Sequence, residues 1–172
     1  MVRLIEAFNL LRIDGHHDYS LILVGQPSPN NDMDDNEAIY EKIKKLGLQN
    51  DVITSGYASD NELSYFYKYA EMYVFPSINE GFGLPVLEAF HHNLPVIVSD
   101  NTCLPEVGGD AVLCFNPFDI EDIYLKMKTI IENPDLKFEL IKKGNERLKL
   151  FSWNKIAGEL IKTFKVALQT GD

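Results

Sequence analysis

The most informative stretch of this sequence is PSINEGFGLPVLEAFHHNLPVIVSD, residues 76–100. The short apolar runs MYVF, residues 72–75, and PVIVS, residues 95–99, predict two buried strands. Between them, residues 84–92 predict a helix, with Pro85 in the first turn that proline favours. A strand, a helix and a strand in this order predict two parallel strands joined by a right-handed crossover.

The same alternation continues on both sides of this stretch. Upstream, the pattern predicts helices over residues 2–13 and 37–46, strands over residues 19–25 and 52–55, and a helix capped by Ser59 or Asp60. Downstream, it predicts a strand over residues 111–115 and helices over about residues 120–132, 136–148 and 153–168. The chain is therefore predicted to be one α/β domain, residues 1–172, with a doubly wound, Rossmann-like parallel sheet and helices on both faces.

Composition and charge exclude several classes of protein. With 26 acidic and 16 basic residues the net charge is −10, which argues against a nucleic-acid-binding surface. Two cysteines, Cys103 and Cys114, make neither a disulfide framework nor a four-cysteine zinc site. No apolar run approaches the roughly 20 residues of a membrane span, and the first residues, MVRLIE, resemble neither a signal nor a transit peptide. We expect a cytoplasmic protein whose membrane contact is at most peripheral, at the inner face.

The loop after the MYVF strand carries the candidate site. Glu80 precedes Gly81-Phe82-Gly83, and the glycine N–H groups with the following helix N-terminus suit a diphosphate. Glu88 lies eight residues after Glu80, within that helix. Two carboxylates would repel a diphosphate unless each accepted hydrogen bonds from neutral hydroxyls, which a nucleotide sugar offers on both sides of its diphosphate. For an isolated pair of glutamates, a surface position for Glu80 and a helix-stabilising role for Glu88 would be the better interpretation.

The wider pattern resembles a known family. PSxxEGFGLPVLEA, followed by PVIVSD and LPEVGGDAVL, is similar to the C-terminal domain of family-4 glycosyltransferases of the GT-B fold, whose E-x7-E motif matches Glu80 and Glu88. Segments across essentially the entire chain agree with this resemblance: LILVG, VITSGYASDNELSYFYKYAEMYVFPS, FNPFDIEDI and FSWNKIA. The resemblance implies the domain that binds a nucleotide diphosphate sugar for a retaining transfer that needs no metal or other cofactor.

The resemblance also implies a role for each site residue. Glu80 would be catalytic, since it would hold the donor sugar and stabilise positive charge at the anomeric carbon. Glu88 would bind the ribose hydroxyls, and main-chain groups near Ile53, at the end of the VITSG strand, would contact the base. The sugar and diphosphate would contact the backbone of Gly81, Phe82, Gly83 and Leu84. Polysaccharide or glycolipid assembly is the setting that the resemblance implies.

The chain departs from the family pattern at its start. Family members begin this domain with a strand and a loop that carries an Arg and a Lys for the diphosphate, whereas this chain starts at the following helix, VRLIEAF. That strand is ordinarily central, so a gap or a rearrangement of the sheet is expected. We interpret the chain as a fragment whose partner would be the missing N-terminal acceptor domain, and we expect no transferase turnover from it alone.

Two other functions compete with this interpretation. The first is a stand-alone, non-catalytic nucleotide-sugar-binding or interaction module, in which Glu80 and Glu88 would be idle. The second is a Rossmann enzyme that uses a dinucleotide, and the lack of GxGxxG after any predicted strand counts against it.

Histidines and aromatic residues offer weaker signals. His91 and His92 stand where the family has small residues, and consecutive helix positions do not converge on one ligand, so we expect structural or surface roles for them. The same expectation applies to residues 16–17. Asn93 is expected to adopt the left-handed conformation that ends a helix. The aromatic run over residues 65–75 is expected to pack in the core.

Overall fold

The computed structural model describes residues 1–25 and 36–170. In chain order the elements are α1 (Val2–Ile13), β1 (Leu21–Val24), α2 (Asn36–Lys45), β2 (Val52–Gly56), α3 (Asp60–Tyr69), β3 (Tyr73–Phe75), α4 (Leu84–His91), β4 (Val96–Ser99), α5 (Leu104–Gly108), β5 (Val112–Phe115), α6 (Ile120–Glu132), α7 (Pro134–Leu148) and α8 (Trp153–Thr170). A short 3-10 turn, Gly109–Ala111, links α5 to β5. The acidic loop predicted over residues 26–36 lies, apart from Asn36, outside the described residues.

Local sequence signals account for where most helices begin and end. Ser59 and Glu62 form a reciprocal capping box that begins α3, as the predicted cap requires. Asn93 has a φ of 56° directly after α4, so the predicted left-handed helix end is confirmed. The sequence pattern missed α5, because five residues with a proline in the first turn show no helical periodicity.

Within the described residues all strand pairs are parallel, but they form two sheets rather than one. One sheet contains β1 and β2, and the other has the order β3-β4-β5. The predicted α/β class with parallel strands is confirmed, and so is the expected gap in the sheet. The gap falls between β1 and β3, because one cavity is bordered by both of these strands and by neither β4 nor β5.

The larger sheet is built around β4, all four residues of which are buried. Ile97 packs into a core cluster with side chains of α1 and α6. Val96 and Val98 point to the opposite face and pack into a second cluster with side chains of α4 and α5. Helices therefore cover this sheet on both faces, as a buried parallel sheet requires.

We call the cavity between β1 and β3 the central groove. Its volume is about 1030 Å³. Helices α1 and α6 close one face of the groove with Leu4, Phe8, Leu11, Met127 and Ile131, and α3 closes the other with Leu63, Phe66 and Tyr67. The two sheets extend outwards from the groove: β2 lies beyond β1, and β4 and β5 lie beyond β3. Within the described ranges, no helix combines the length and the apolar composition needed to cross a bilayer.

Candidate functional site

The loop between β3 and α4 turns sharply at Gly83. Its φ is 92°, a left-handed conformation that side chains disfavour, and an added Cβ would lie 2.7 Å from Cδ2 of Leu104. Gly83 is thus required both by its backbone conformation and by close packing against α5. Pro85 follows in the first turn of α4. This turn directs the N-terminus of α4 towards the carboxyl edge of the larger sheet, where an anionic ligand would be favoured.

The next loop of the sheet holds the site loop in place. The side-chain amide of Asn101 donates a hydrogen bond to the carbonyl of Ile78 at 2.7 Å. The thiol of Cys103 contacts the carbonyl of Glu80 at 3.4 Å. These contacts fix the backbone on both sides of Asn79 before any ligand binds, so the position of Glu80 is set by the fold.

Glu88 is oriented by a buried tyrosine. The hydroxyl of Tyr67 donates a hydrogen bond to Oε2 of Glu88 at 3.0 Å. The ring of Tyr67 stacks on His92, with 5.6 Å between centroids, and meets Tyr73 edge-on at 5.5 Å. Burial raises the pKa of Tyr67 well above its usual range, and Tyr73 and Glu88 raise it further. Tyr67 therefore stays protonated and acts as a constant hydrogen-bond donor to Glu88.

The negative charges of both glutamates act on Tyr73. Burial is the main cause of the raised pKa of Tyr73, and the negative charges of Glu88 and Glu80 add to it. Both carboxylates are thus close enough to Tyr73 to oppose its ionisation. Glu80 is partly buried and Glu88 is exposed, so a ligand can reach both. Two acceptor groups beside a helix N-terminus suit a ligand with hydroxyls on both sides of an anionic centre.

The remaining predicted site residues divide into two groups. Gly81, Phe82 and Leu84 are exposed around the site, and Phe82 also meets the ring of Phe151 edge-on at 6.0 Å. Ile53 was expected at the end of its strand, and this was wrong: it is the second residue of β2, which continues to Gly56. It lies in the smaller sheet and its side chain is 50% exposed.

Sequence reasoning missed Tyr67, Asn101 and Cys103 as supports of the site. The run over residues 65–75 was assigned to core packing, which is confirmed for Tyr67. The assignment was wrong for Tyr65 and Tyr69, which are each 62% exposed, line the open central groove and have ring centroids 4.4 Å apart. Helical spacing identified the buried face, but it does not show that a buried hydroxyl reaches a carboxylate on another helix.

The rings of the adjacent His91 and His92 meet edge-on, with 5.3 Å between centroids, and their surroundings differ. His91 is exposed, whereas His92 is partly buried against the Tyr67 ring with Nε2 3.5 Å from Oγ of Ser64. These positions agree with a surface place for His91 and a packing contact for His92. Nε2 of His16 lies 3.7 Å from Oδ2 of Asp14 and 3.5 Å from Oε1 of Glu132. Lys128 pairs with both of these carboxylates, so an ammonium group already occupies that cluster.

Comparison with known proteins identifies relatives of this domain. The family described as "Glycosyl transferases group 1" matches residues 1–147. The chain is 31% identical over 163 residues to O-antigen chain mannosyltransferase B of Escherichia coli, covering 95% of this chain and 42% of that protein. It is 29% identical over 169 residues to MMP alpha-(1->4)-mannosyltransferase of Mycolicibacterium hassiacum, covering 96% and 39%. The chain thus spans less than half of the length of these relatives.

Solved structures with the same fold include chains more than twice as long as this one. Sucrose-phosphate synthase of Thermosynechococcus elongatus superimposes with a TM-score of 0.85 at 25% identity, covering 98% of this chain and 42% of that one. HepE of Anabaena, determined in complex with UDP and glucose, superimposes with a TM-score of 0.83 at 20% identity, covering 95% and 44%. The second likeness shows the fold alone. Both agree with the expected C-terminal half of a GT-B fold.

Proposed function

The chain belongs to the glycosyl transferases group 1 family, and from this premise we propose that it is the donor-binding half of a retaining glycosyltransferase that uses a nucleotide diphosphate sugar. The observation that carries the proposal is the position of Glu88, which Tyr67 holds on the helix whose N-terminus Gly83 positions shortly after Glu80. Because the first relatives are mannosyltransferases, a mannosyl nucleotide is the first donor to test.

Three groups of residues contact three parts of the donor. The backbone of Gly81, Phe82, Gly83 and Leu84 binds the diphosphate and the near side of the sugar, where the helix N-terminus favours negative charge. Glu88, held by Tyr67, accepts hydrogen bonds from the ribose hydroxyls. Main-chain groups of β2 near Ile53 contact the base. No metal or other cofactor takes part in this scheme.

Glu80 acts at the reacting centre. As the bond between the anomeric carbon and the diphosphate oxygen breaks, the carbon gains positive charge, which a carboxylate stabilises. The acceptor oxygen bonds to the anomeric carbon on the face that the diphosphate leaves, and the departing diphosphate takes the acceptor's proton. The tether of Asn101 to the loop keeps Glu80 in position, so little reorganisation accompanies the reaction.

Donor binding is tested on residues 1–172 by isothermal titration calorimetry with GDP-mannose and UDP-glucose. We expect binding to one of them, weakened by Glu88→Gln, which removes an acceptor of ribose hydrogen bonds. Glu121→Gln removes the same charge from the exposed first turn of α6, far from this loop in sequence, and serves as the control. Equal binding by the unmodified chain and by Glu88→Gln, or an equal loss in both variants, would count against the proposed site.

Catalysis is tested on a protein that includes an acceptor domain. There, Glu80→Ala is expected to lower the transfer rate while donor affinity changes less, because Glu80 acts on charge that develops in the transition state. Unchanged turnover of Glu80→Ala would contradict its role. Residues 1–172 alone are expected to give no turnover. We further propose a cytoplasmic location with at most peripheral contact with the inner face of the membrane.

A further inference from the structure

The hydrogen bond from Tyr67 to Glu88 depends on how the tyrosine ring is held. The carboxylate of Glu88 lies on an exposed residue, and the Tyr67 hydroxyl donates to its Oε2 at 3.0 Å. A hydrogen bond weakens steeply as its angle departs from linearity, so a rotation of the ring that moves the hydroxyl weakens this bond. Whatever holds the ring of Tyr67 therefore also sets the orientation of Glu88.

Two aromatic rings pack against Tyr67 with different geometry. The imidazole of His92 lies nearly parallel to the Tyr67 ring, with 16° between the planes and 5.6 Å between the centroids, which is an offset stack. Tyr73 meets the same ring edge-on, at 74° and 5.5 Å. Both arrangements are favourable for aromatic pairs. His92 and Tyr73 together restrict the motion of the Tyr67 ring.

His92 reaches Tyr67 because of its place on α4. It is the C-terminal cap residue of the helix and follows Glu88 by four positions, so both side chains lie on one face. On α3, Ser64 and Tyr67 are three positions apart and also share a face. Oγ of Ser64 lies 3.5 Å from Nε2 of His92. The two pairs of side chains therefore meet between α3 and α4.

The supports of Tyr67 differ in what they connect. Tyr73 belongs to β3 and contacts the tyrosine from the sheet. Glu88 and His92 both belong to the site helix, and they contact Tyr67 at its hydroxyl and at its ring. These two contacts fasten the donor group to the same helix that carries the acceptor. The stack with His92 thus acts on the one hydrogen bond that orients Glu88.

We propose that His92 is a positioning residue for donor binding, because its ring holds the ring of Tyr67 so that the hydroxyl stays on Glu88. The inference rests on the proposed function, in which Glu88 accepts hydrogen bonds from the ribose hydroxyls of the donor. His92 acts through Tyr67 and not by touching the donor. The role requires the flat aromatic ring and does not require its nitrogen atoms.

Three substitutions of His92 separate the ring from its nitrogens. His92→Phe keeps an aromatic ring without nitrogen, His92→Gln keeps a hydrogen-bonding group without a ring, and His92→Ala removes both. His17→Ala is the matched control, since His17 is an exposed histidine in the turn between α1 and β1. All four variants are made in residues 1–172.

The first measurement is the flipping rate of the Tyr67 ring, by NMR of chains with 13C-labelled tyrosine and without any donor. We expect flipping about fivefold faster in His92→Ala and His92→Gln, because the stacked contact is lost. His92→Phe and His17→Ala should keep the rate of the unmodified chain. An unchanged rate in His92→Ala, or a normal rate in His92→Gln but not in His92→Phe, would overturn the proposal.

The second measurement is donor affinity, by isothermal titration calorimetry with whichever of GDP-mannose and UDP-glucose binds. We expect His92→Ala and His92→Gln to bind it about threefold more weakly, and His92→Phe and His17→Ala to bind it normally. An equal loss in His17→Ala would identify a general effect and would overturn the proposal.

Glu88→Gln in the same series distinguishes this inference from the proposed function. If Glu88→Gln weakens binding and His92→Ala does not, the role of His92 is wrong while the role of Glu88 stands. If Glu88→Gln binds like the unmodified chain, the role of Glu88 in the donor site is wrong, and the positioning role of His92 falls with it.

Discussion

The two sheets of this domain are built from similar residues but are covered to very different degrees. β4 reads VIVS and β1 reads LILV. Ile97 in β4 is fully buried, whereas Ile22 in β1 is 40% exposed. The difference comes from neighbours: β4 is paired on both sides, and β1 has β2 on one side and the central groove on the other. Burial of an apolar strand therefore reports on its position in the sheet and not on its own sequence.

The candidate site belongs to the well-covered sheet. Its loop leaves β3, turns at Gly83 into α4 and is tethered by Asn101 from the loop after β4. The supporting contacts of Glu80 and Glu88 thus lie within the β3-β4-β5 half. The smaller sheet contributes only the predicted base contact near Ile53. The site also borders the central groove, because Ile78, Pro85 and Glu88 line it.

The difference in burial between β1 and β4 is tested most strongly by truncating an isoleucine in each strand. Ile97→Ala is expected to lower the free energy of unfolding by about 3 kcal/mol, because it leaves a cavity in a closed core. Ile22→Ala is expected to cost less than about 1 kcal/mol, because its side chain already contacts solvent. Chemical denaturation measures both values. Equal losses would show that the two sheets are equally covered in solution.

A second test addresses the turn that begins α4. Gly83→Ala is expected to destabilise the domain by about 2 kcal/mol, because φ is 92° and the new Cβ would lie 2.7 Å from Leu104. Gly81→Ala is the control, since nothing lies within 4 Å of a Cβ there. Thermal unfolding measures the stability of both variants relative to the unmodified chain. A stable Gly83→Ala variant would mean that α5 moves freely, and the site loop would not be held as described.

A third test concerns the support of Glu88. Tyr67→Phe removes the hydroxyl that donates to Glu88 while keeping the buried ring. Loss of one such hydrogen bond, about 1 kcal/mol, predicts donor affinity about fivefold weaker. Tyr40→Phe removes an exposed hydroxyl from α2, outside the groove that Tyr67 and Glu88 line, and should leave affinity unchanged. Calorimetric titration with whichever of GDP-mannose and UDP-glucose binds compares the two variants. Identical affinities would remove Tyr67 from the site.

The smallest expected effect is at the end of α4. Asn93→Ala should destabilise the domain by about 0.5–1 kcal/mol, because alanine is disfavoured at a φ of 56° and the hydrogen bond from Asn145 at 2.7 Å is lost. Asn93→Gly loses the same hydrogen bond but tolerates the backbone conformation. Its denaturation midpoint should therefore lie closer to that of the unmodified chain. The reverse order would show that the hydrogen bond, and not the backbone, decides this position.

Much of the domain could be predicted because its signals are local. Helix α1 has the predicted bounds, and β4 lies within one residue of its predicted start, since apolar spacing and prolines mark both. Glu80, Gly83 and Glu88 were identified as candidates from one continuous motif. They lie within nine positions of one loop and the following helix, so they stay near one another in the folded chain. The support that Tyr67 gives to Glu88 was missed, because the two residues are 21 positions apart and only the packing of α3 against α4 brings them together.

Local residue chemistry thus established the α/β class, the order of helices and strands, and the loop on which the candidate site lies. The packing of the folded chain set the division into two sheets, the central groove and the exposure of Ile22 and Val24. Periodicity is a property of each segment, whereas burial depends on which segments become neighbours. For that reason the sequence of β1 is that of a central strand, while its place beside the groove leaves it open on one side.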